Sequence, residues 1–202
     1  MHSPLRSKEG WFEWCIDPSD RTDDHQWYID GSAINPRWRS LTTTGFGIVV
    51  VNGYGELIGY GRGAPPEWVR TAAASEAWAL LVALNMSPLL TRVATDCKGL
   101  VNTASRGKSR ATSAKHPLAR IWNSIASCLD DDLHQLPQKG LIRWVPAHLT
   151  EAAIGTTLPC GRKFSATDWR ANRLADLLAK DVAKAYGIPE KVQKFVMAAE
   201  EA

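Results

Sequence analysis

Asp30 stands within Trp27-Tyr28-Ile29-Asp30-Gly31-Ser32, where aromatic and β-branched residues followed by Gly-Ser punctuation read as a β-strand. A lone carboxylate among apolar neighbours is costly to desolvate, and it persists where a cation or a second polar group compensates it. Three other acids are its candidate companions. Glu76 is the single acid of an Ala/Leu-rich helix over residues 71–86, Asp96 ends a short strand over 92–96, and Asp176 lies in the last long helix. Asp176 follows Asn172 by one helical turn, so the two share a face. In sheets with parallel strands, sites form beyond the carboxyl ends of the strands. One acid there is unremarkable, but four converging acids repel each other unless divalent cations sit between them. Oxygen ligands without a Cys or His cluster favour Mg²⁺, with Mn²⁺ the other option, over zinc. Two such ions about 3.5–4 Å apart activate a water and stabilise the leaving oxygen in phosphodiester hydrolysis.

The elements that must position these acids follow from the pattern. After the first strand comes a polar turn, Asn35-Pro36-Arg37-Trp38-Arg39, then a β-branched strand over 45–51. Asn52-Gly53 signals a hairpin, and 56–61 returns as a third strand of an antiparallel meander. The helix over 71–86, apolar on nearly every face, is expected to be largely buried and to stop at Ser87-Pro88. The strand at 92–96 is then joined in parallel by a right-handed crossover. A short helix over 98–105, a basic loop over 106–116, a helix over 117–130 and a fifth strand over 141–145 follow, with His148 just beyond. Residues 151–167 are irregular; a long helix over 168–186 closes on Gly187, and residues 189–202 fit a short terminal helix. Residues 1–26, poorly patterned, read as a leader or linker, with residues 27–187 as the main domain and 188–202 as its C-terminal tail.

Composition bounds the partners. A net charge of +3 in 202 residues permits a polyanionic partner without requiring one. The four cysteines, Cys15, Cys97, Cys128 and Cys160, form no C-x-x-C pair, which suits a reducing compartment and suggests neither zinc nor a disulfide framework. With no apolar leader core, and no run near the ~18 apolar residues of a membrane span, the chain reads as intracellular, cytoplasmic or nuclear, and not secreted.

In this order the motifs resemble the ribonucleases H. Asp30-Gly31-Ser32 is similar to that family's D-G-S strand, Ser75-Glu76-Ala77-Trp78-Ala79-Leu80 to its helix glutamate motif, and Thr95-Asp96-Cys97 to its T-D-S turn. Trp144-Val145-Pro146-Ala147-His148 resembles W-V-x-x-H, and Asn172-Arg173-Leu174-Ala175-Asp176 resembles N-x-x-A-D. The resemblance spans about residues 27–186. It implies an α/β fold, a mixed five-stranded sheet (three antiparallel strands, then two parallel) flanked by helices. It implies cleavage of the RNA strand of RNA–DNA hybrids with two Mg²⁺ ions. Asp30, Glu76, Asp96 and Asp176 would hold the metals, and His148 would assist proton transfer or product release. Similar domains are also fused to reverse transcriptases, so the chain is compatible with a piece of a larger polyprotein. The family's Asn residues before the helix glutamate are replaced by Thr71-Ala72-Ala73-Ala74, and Lys98 stands where a Gln is common. Asn35 and Lys98 are therefore candidate nucleic-acid contacts. His148 and Asp176 lie farther apart than is usual, which makes 151–169 an insertion beside the site.

Lys108, Arg110 and Lys115 in the basic loop are expected to grip phosphates, as are Arg162 and Lys163 in the insertion, read as a mobile flap anchored by Leu158 and Phe164. Plainer readings stand beside these. Asp30 suits a solvated edge strand, Asp96 a helix cap, Glu76 an exposed helix face, and His148 a solvated loop. Asp168 at the start of the last helix reads as a cap. In function, the alternatives to a hybrid-cleaving enzyme are a catalytically silent binding module and another nuclease of the same fold.

Overall fold

The structure, a computed structural model, describes residues 9–18, 24–35, 37–38, 40–87, 92–187 and 189–201. Residues 1–8 and 19–23 of the expected leader, Pro36 and Arg39 of the polar turn, the Pro88 helix stop and positions 188 and 202 of the tail lie outside them.

Six strands form one mixed sheet. In chain order they are β1 (Trp11–Ile16), β2 (Gln26–Ile34), β3 (Thr43–Val51), β4 (Leu57–Ala64), β5 (Arg92–Thr95) and β6 (Ile142–Trp144), and their spatial order is β1-β4-β3-β2-β5-β6. The β2–β3–β4 meander is antiparallel, and β5 and β6 continue in parallel from β2. Five strands were expected; the sixth, β1, comes from the segment read as leader and pairs antiparallel with β4. Phe12 stacks on Phe46 at 5.8 Å, Trp14 meets Trp27 edge-on at 5.9 Å, and Trp11 donates to the Tyr186 hydroxyl. The partners of β1 lie 44–53 residues further along the chain, so no local pattern announces it.

Alternation along the strands sends side chains to two faces. Trp27, Ile29, Ile48 and Val50 pack with α1 (Ala72–Met86), α2 (Lys98–Ser105) and α4 (Ala119–Ser127). Tyr28, Val49, Val51 and Ala94 pack on the other side with Leu158, Phe164 and α6 (Ala166–Ala185). The remaining helices are α3 (Lys108–Ala111, within the basic loop), α5 (Gln135–Gln138) and α7 (Glu190–Glu201). Two glycines set the closeness of the layers. A Cβ at Gly31 would collide with the Glu76 backbone nitrogen, and one at Gly47 with the Ala175 carbonyl oxygen. Each helix that carries a candidate acid is thereby drawn against the sheet.

Candidate active site

Asp30 lies on β2, an interior strand, and is 5% exposed, which excludes the edge-strand reading. Its parity with Tyr28 directs it to the α6 side, while Gly31 leaves the opposite face open for the close approach of α1. Thr71 caps α1, its hydroxyl accepting from the Ala74 amide, and the first turns of that helix deliver Glu76 at 4% exposure. Asp96 follows the last residue of β5 and is half-buried. Oxygens of Asp30, Glu76 and Asp96 lie within 4.8 Å of one another.

Around this triad the hydrogen bonds fix orientation. The Gly31 amide donates to Asp30 Oδ1 at 2.7 Å, and the Thr95 hydroxyl to Glu76 Oε2 at 3.1 Å. The Trp144 indole donates to the Asp96 carbonyl at 3.0 Å, tying the turn to β6. The cap reading of Asp96 fails, because Cys97 occupies the N-cap of α2 and no side chain caps it. Burial pushes the Asp30 carboxyl up to about 7, with Asp96 and Asp176 adding to the rise against an opposing hydrogen bond from Glu76. Glu76 is pushed well above the carboxylate range, first by burial and then by the field of Asp30. Asp30 and Glu76, buried side by side, resist ionisation, and a hard divalent cation relieves both the burial cost and the repulsion. The oxygen-only triad fits such an ion.

Asp176 stands beside the triad, about three turns into α6. It borders the same cleft, of about 370 Å³, and its carboxylate pairs with Lys180 at 2.8 Å. His148 also lines this cleft; it is exposed and adopts a left-handed backbone (φ 56°). Four of the five expected catalytic positions therefore converge as acids around one opening, three of them in mutual contact range, with the histidine at the rim.

Among solved structures, the chain is similar to the PFV RNase H domain, with TM-score 0.53 and 23% identity over 80% of this chain and 94% of that one. It is similar to LC9-RNase H1, described as a type 1 RNase H with the type 2 active-site motif, with TM-score 0.50 and 18% identity over 82% and 75%. A third match is the Prototype Foamy Virus protease-reverse transcriptase, with TM-score 0.50 and 22% identity over 86% of this chain but only 22% of that one. The chain has the ribonuclease H fold. No protein-family model and no curated protein matches it.

In this ribonuclease H fold the other expected contacts divide. Lys98 sits with Nζ 5.5 Å from the Trp144 ring centroid, close behind Asp96. The Asn35 amide is turned to Gln193 of α7 at 3.2 Å. Arg110 and Lys115 line a separate pocket of about 310 Å³ with Arg106, while Lys108 pairs with Asp131 at 2.8 Å. Lys163 is exposed in an isolated bridge with Thr157.

The insertion is more ordered than a structureless flap. Leu158 and Phe164 are buried in the α6-side core, and a 3₁₀ turn spans Glu151–Ala153. Arg162 is committed inward to Asp168 Oδ2 at 2.8 Å. Asp168 is not the helix cap: Ser165 is, and Asp168 completes its capping box as the third helical residue. The same carboxylate accepts from Arg143 and from the Tyr28 hydroxyl, both at 2.8 Å. Burial by itself would raise Asp168, but Arg162 and Arg143 hold it well below the usual carboxylate range. Burial pushes the Tyr28 hydroxyl up. Sequence reading missed this hub because its members are scattered over four elements. It also missed Lys180, whose spacing of one turn from Asp176 was the available signal.

Proposed function

We propose that this chain is a metal-dependent endonuclease that hydrolyses the RNA strand of RNA–DNA hybrids. The observation that carries the reading is the triad of Asp30, Glu76 and Asp96, brought from a strand, a helix and a strand end to within 4.8 Å, with Asp176 beside it. Asp30, Glu76, Asp96 and Asp176 would hold two Mg²⁺ or Mn²⁺ ions, which when bound would lower the pKa of an attacking water and neutralise the leaving oxygen. Asp30 and Glu76, fixed by Gly31 and Thr95, keep the carboxylates preorganised, so little rearrangement accompanies reaction. Lys180 holds Asp176 in place until it is needed, and His148 at the rim is positioned to move a proton or release product. Arg106, Arg110 and Lys115 supply a second cationic contact for the backbone of the duplex.

The fold neighbours support a nucleic-acid substrate, and one of them is a protease-reverse transcriptase of which a domain like this one makes up a fifth. This supports work within a larger reverse-transcriptase-type polyprotein inside the cell. Among the described residues, no helix is long and apolar enough to cross a membrane. The test is cleavage of matched RNA–DNA, RNA–RNA and DNA–DNA duplexes with Mg²⁺. Cutting confined to the RNA of the hybrid is expected; binding without cutting would leave the silent-module reading, and cutting of DNA another nuclease.

A further inference from the structure

Beside the acid cleft lies a second cavity of about 600 Å³, of whose lining the catalytic assignment uses only Asp96, His148 and Asp176. That volume falls within the range of small-ligand sites, about 300–1,000 Å³. The insertion forms one wall and α6 the other, with Phe164, Leu149 and Trp169 as apolar surface. Trp169 is held in place by donation from its indole nitrogen to the Leu149 carbonyl at 3.1 Å, and the Arg173 guanidinium lies 5.5 Å from its ring centroid. Asp96, His148 and Asp176 line both this cavity and the acid cleft, so the two openings are continuous.

A second observation concerns Asn172. It is 8% exposed, lines the cavity, and its Oδ1 is buried without a hydrogen-bond partner. Its Nδ2 faces Asp96 Oδ2 at 3.5 Å, so the carboxylate does not satisfy the oxygen. A buried acceptor without a donor is unfavourable; the oxygen is closed to solvent as it stands, and a turn of the side chain that opened it to a ligand N–H in the cavity would remove the defect.

We propose that this cavity is a subsite for one unpaired nucleobase of the cut strand, the base stacking on Trp169 and donating to Asn172 Oδ1. This rests on the nuclease reading, because a phosphate held at the acids places a neighbouring base at the cavity mouth. Flat aromatic and guanidinium surfaces take a base through its π-face whatever its identity. A base can enter only when unstacked, which is least costly at a mismatch or strand end. The insertion then has a function: its buried Phe164 builds a wall that the acid cluster by itself lacks.

The experiment uses the full chain and a hybrid whose RNA strand carries 2-aminopurine, moved one position at a time, either paired or mismatched. Stopped-flow fluorescence in Mg²⁺ reads stacking before cutting, and quenched samples of the same mixture read cutting. One mismatched position next to the cut should be quenched by the parent and by Trp169→Phe. Quenching should be lost in Trp169→Leu, with KM for the mismatched hybrid raised about tenfold, the scale of one base–aromatic stack. Leu177→Glu alters the cavity rim at a residue 55% exposed, and so without a folding cost, and should also weaken quenching. Cutting without quenching at any position, or equal quenching in Trp169→Leu, would overturn the subsite. Quenching at one position without cutting would support the subsite and count against the nuclease reading.

Discussion

Replacing Asp30 by Asn should abolish cleavage and yet stabilise the metal-free protein, because the residue is retained against its own folding energetics. Its carboxyl is raised from an ordinary 3.8 to about 7, chiefly by burial. At 1.36 kcal/mol per pH unit, that gap corresponds to about 4 kcal/mol of ionisation penalty above neutral pH. The sign follows from proton binding. Between these two values the native state holds a proton that the unfolded chain has released, so stability falls as pH rises through the window. Asparagine keeps the Oδ1 that accepts from the Gly31 amide at 2.7 Å and removes the charge. Burying the amide and weakening the hydrogen bond with Glu76 offset part of the gain, which leaves about 1–3 kcal/mol. For a chain of this length, that is a Tm increase of roughly 2–12 °C. Thermal unfolding in EDTA should show this gain at pH 8 and almost none at pH 4. Adding Mg²⁺ should narrow or reverse it, because only the parent binds the ion with its full ligand set. A gain that is the same at both pH values, or turnover surviving in the variant, would refute the assignment of a shared carboxylate cluster.

Other outcomes follow from other contacts. Gly31→Ala should lower both Tm and turnover, since its Cβ meets the Glu76 backbone; an active, stable variant would contradict that approach. Asp168→Asn should cost about 3 kcal/mol, near the low end for a broken buried pair because both arginines retain solvent contact. Asp168 is held below its ordinary range, so its contribution is present above about pH 4 and is lost on acidification. The gap between parent and variant in unfolding scans should therefore close at low pH. Changing Lys108, Arg110 and Lys115 to Ala should reduce the slope of log K against log salt by about 2 rather than 3, because Lys108 is already paired with Asp131. An unchanged slope in a filter-binding titration would mark the pocket as merely solvated.

What the sequence determined was the set of acids and the order of the elements that carry them. Asp30 and Glu76 were legible because each is the one charge in its element, where burial demands a partner, and Asp96 because it closes a short strand. The meander and the long helices were legible because their signals are local: alternation, Asn52-Gly53, an Ala/Leu run and a Gly187 stop. Tertiary structure decided what depends on distant partners. β1 became a strand because β4 offered a free edge and because Phe12 and Trp14 found Phe46 and Trp27 across it. Asp168 keeps the capping role read for it, in the box of Ser165, but it also pairs with Arg162, which was read as a phosphate contact, because the insertion folds back over the sheet onto Tyr28 and Arg143. Asp176 paired with Lys180 outside the three-acid cluster, a placement set by the packing of α6 on Gly47 and not by its spacing from Asn172. Chemistry was written in residue type, whereas geometry came from contacts whose two halves lie tens of residues apart.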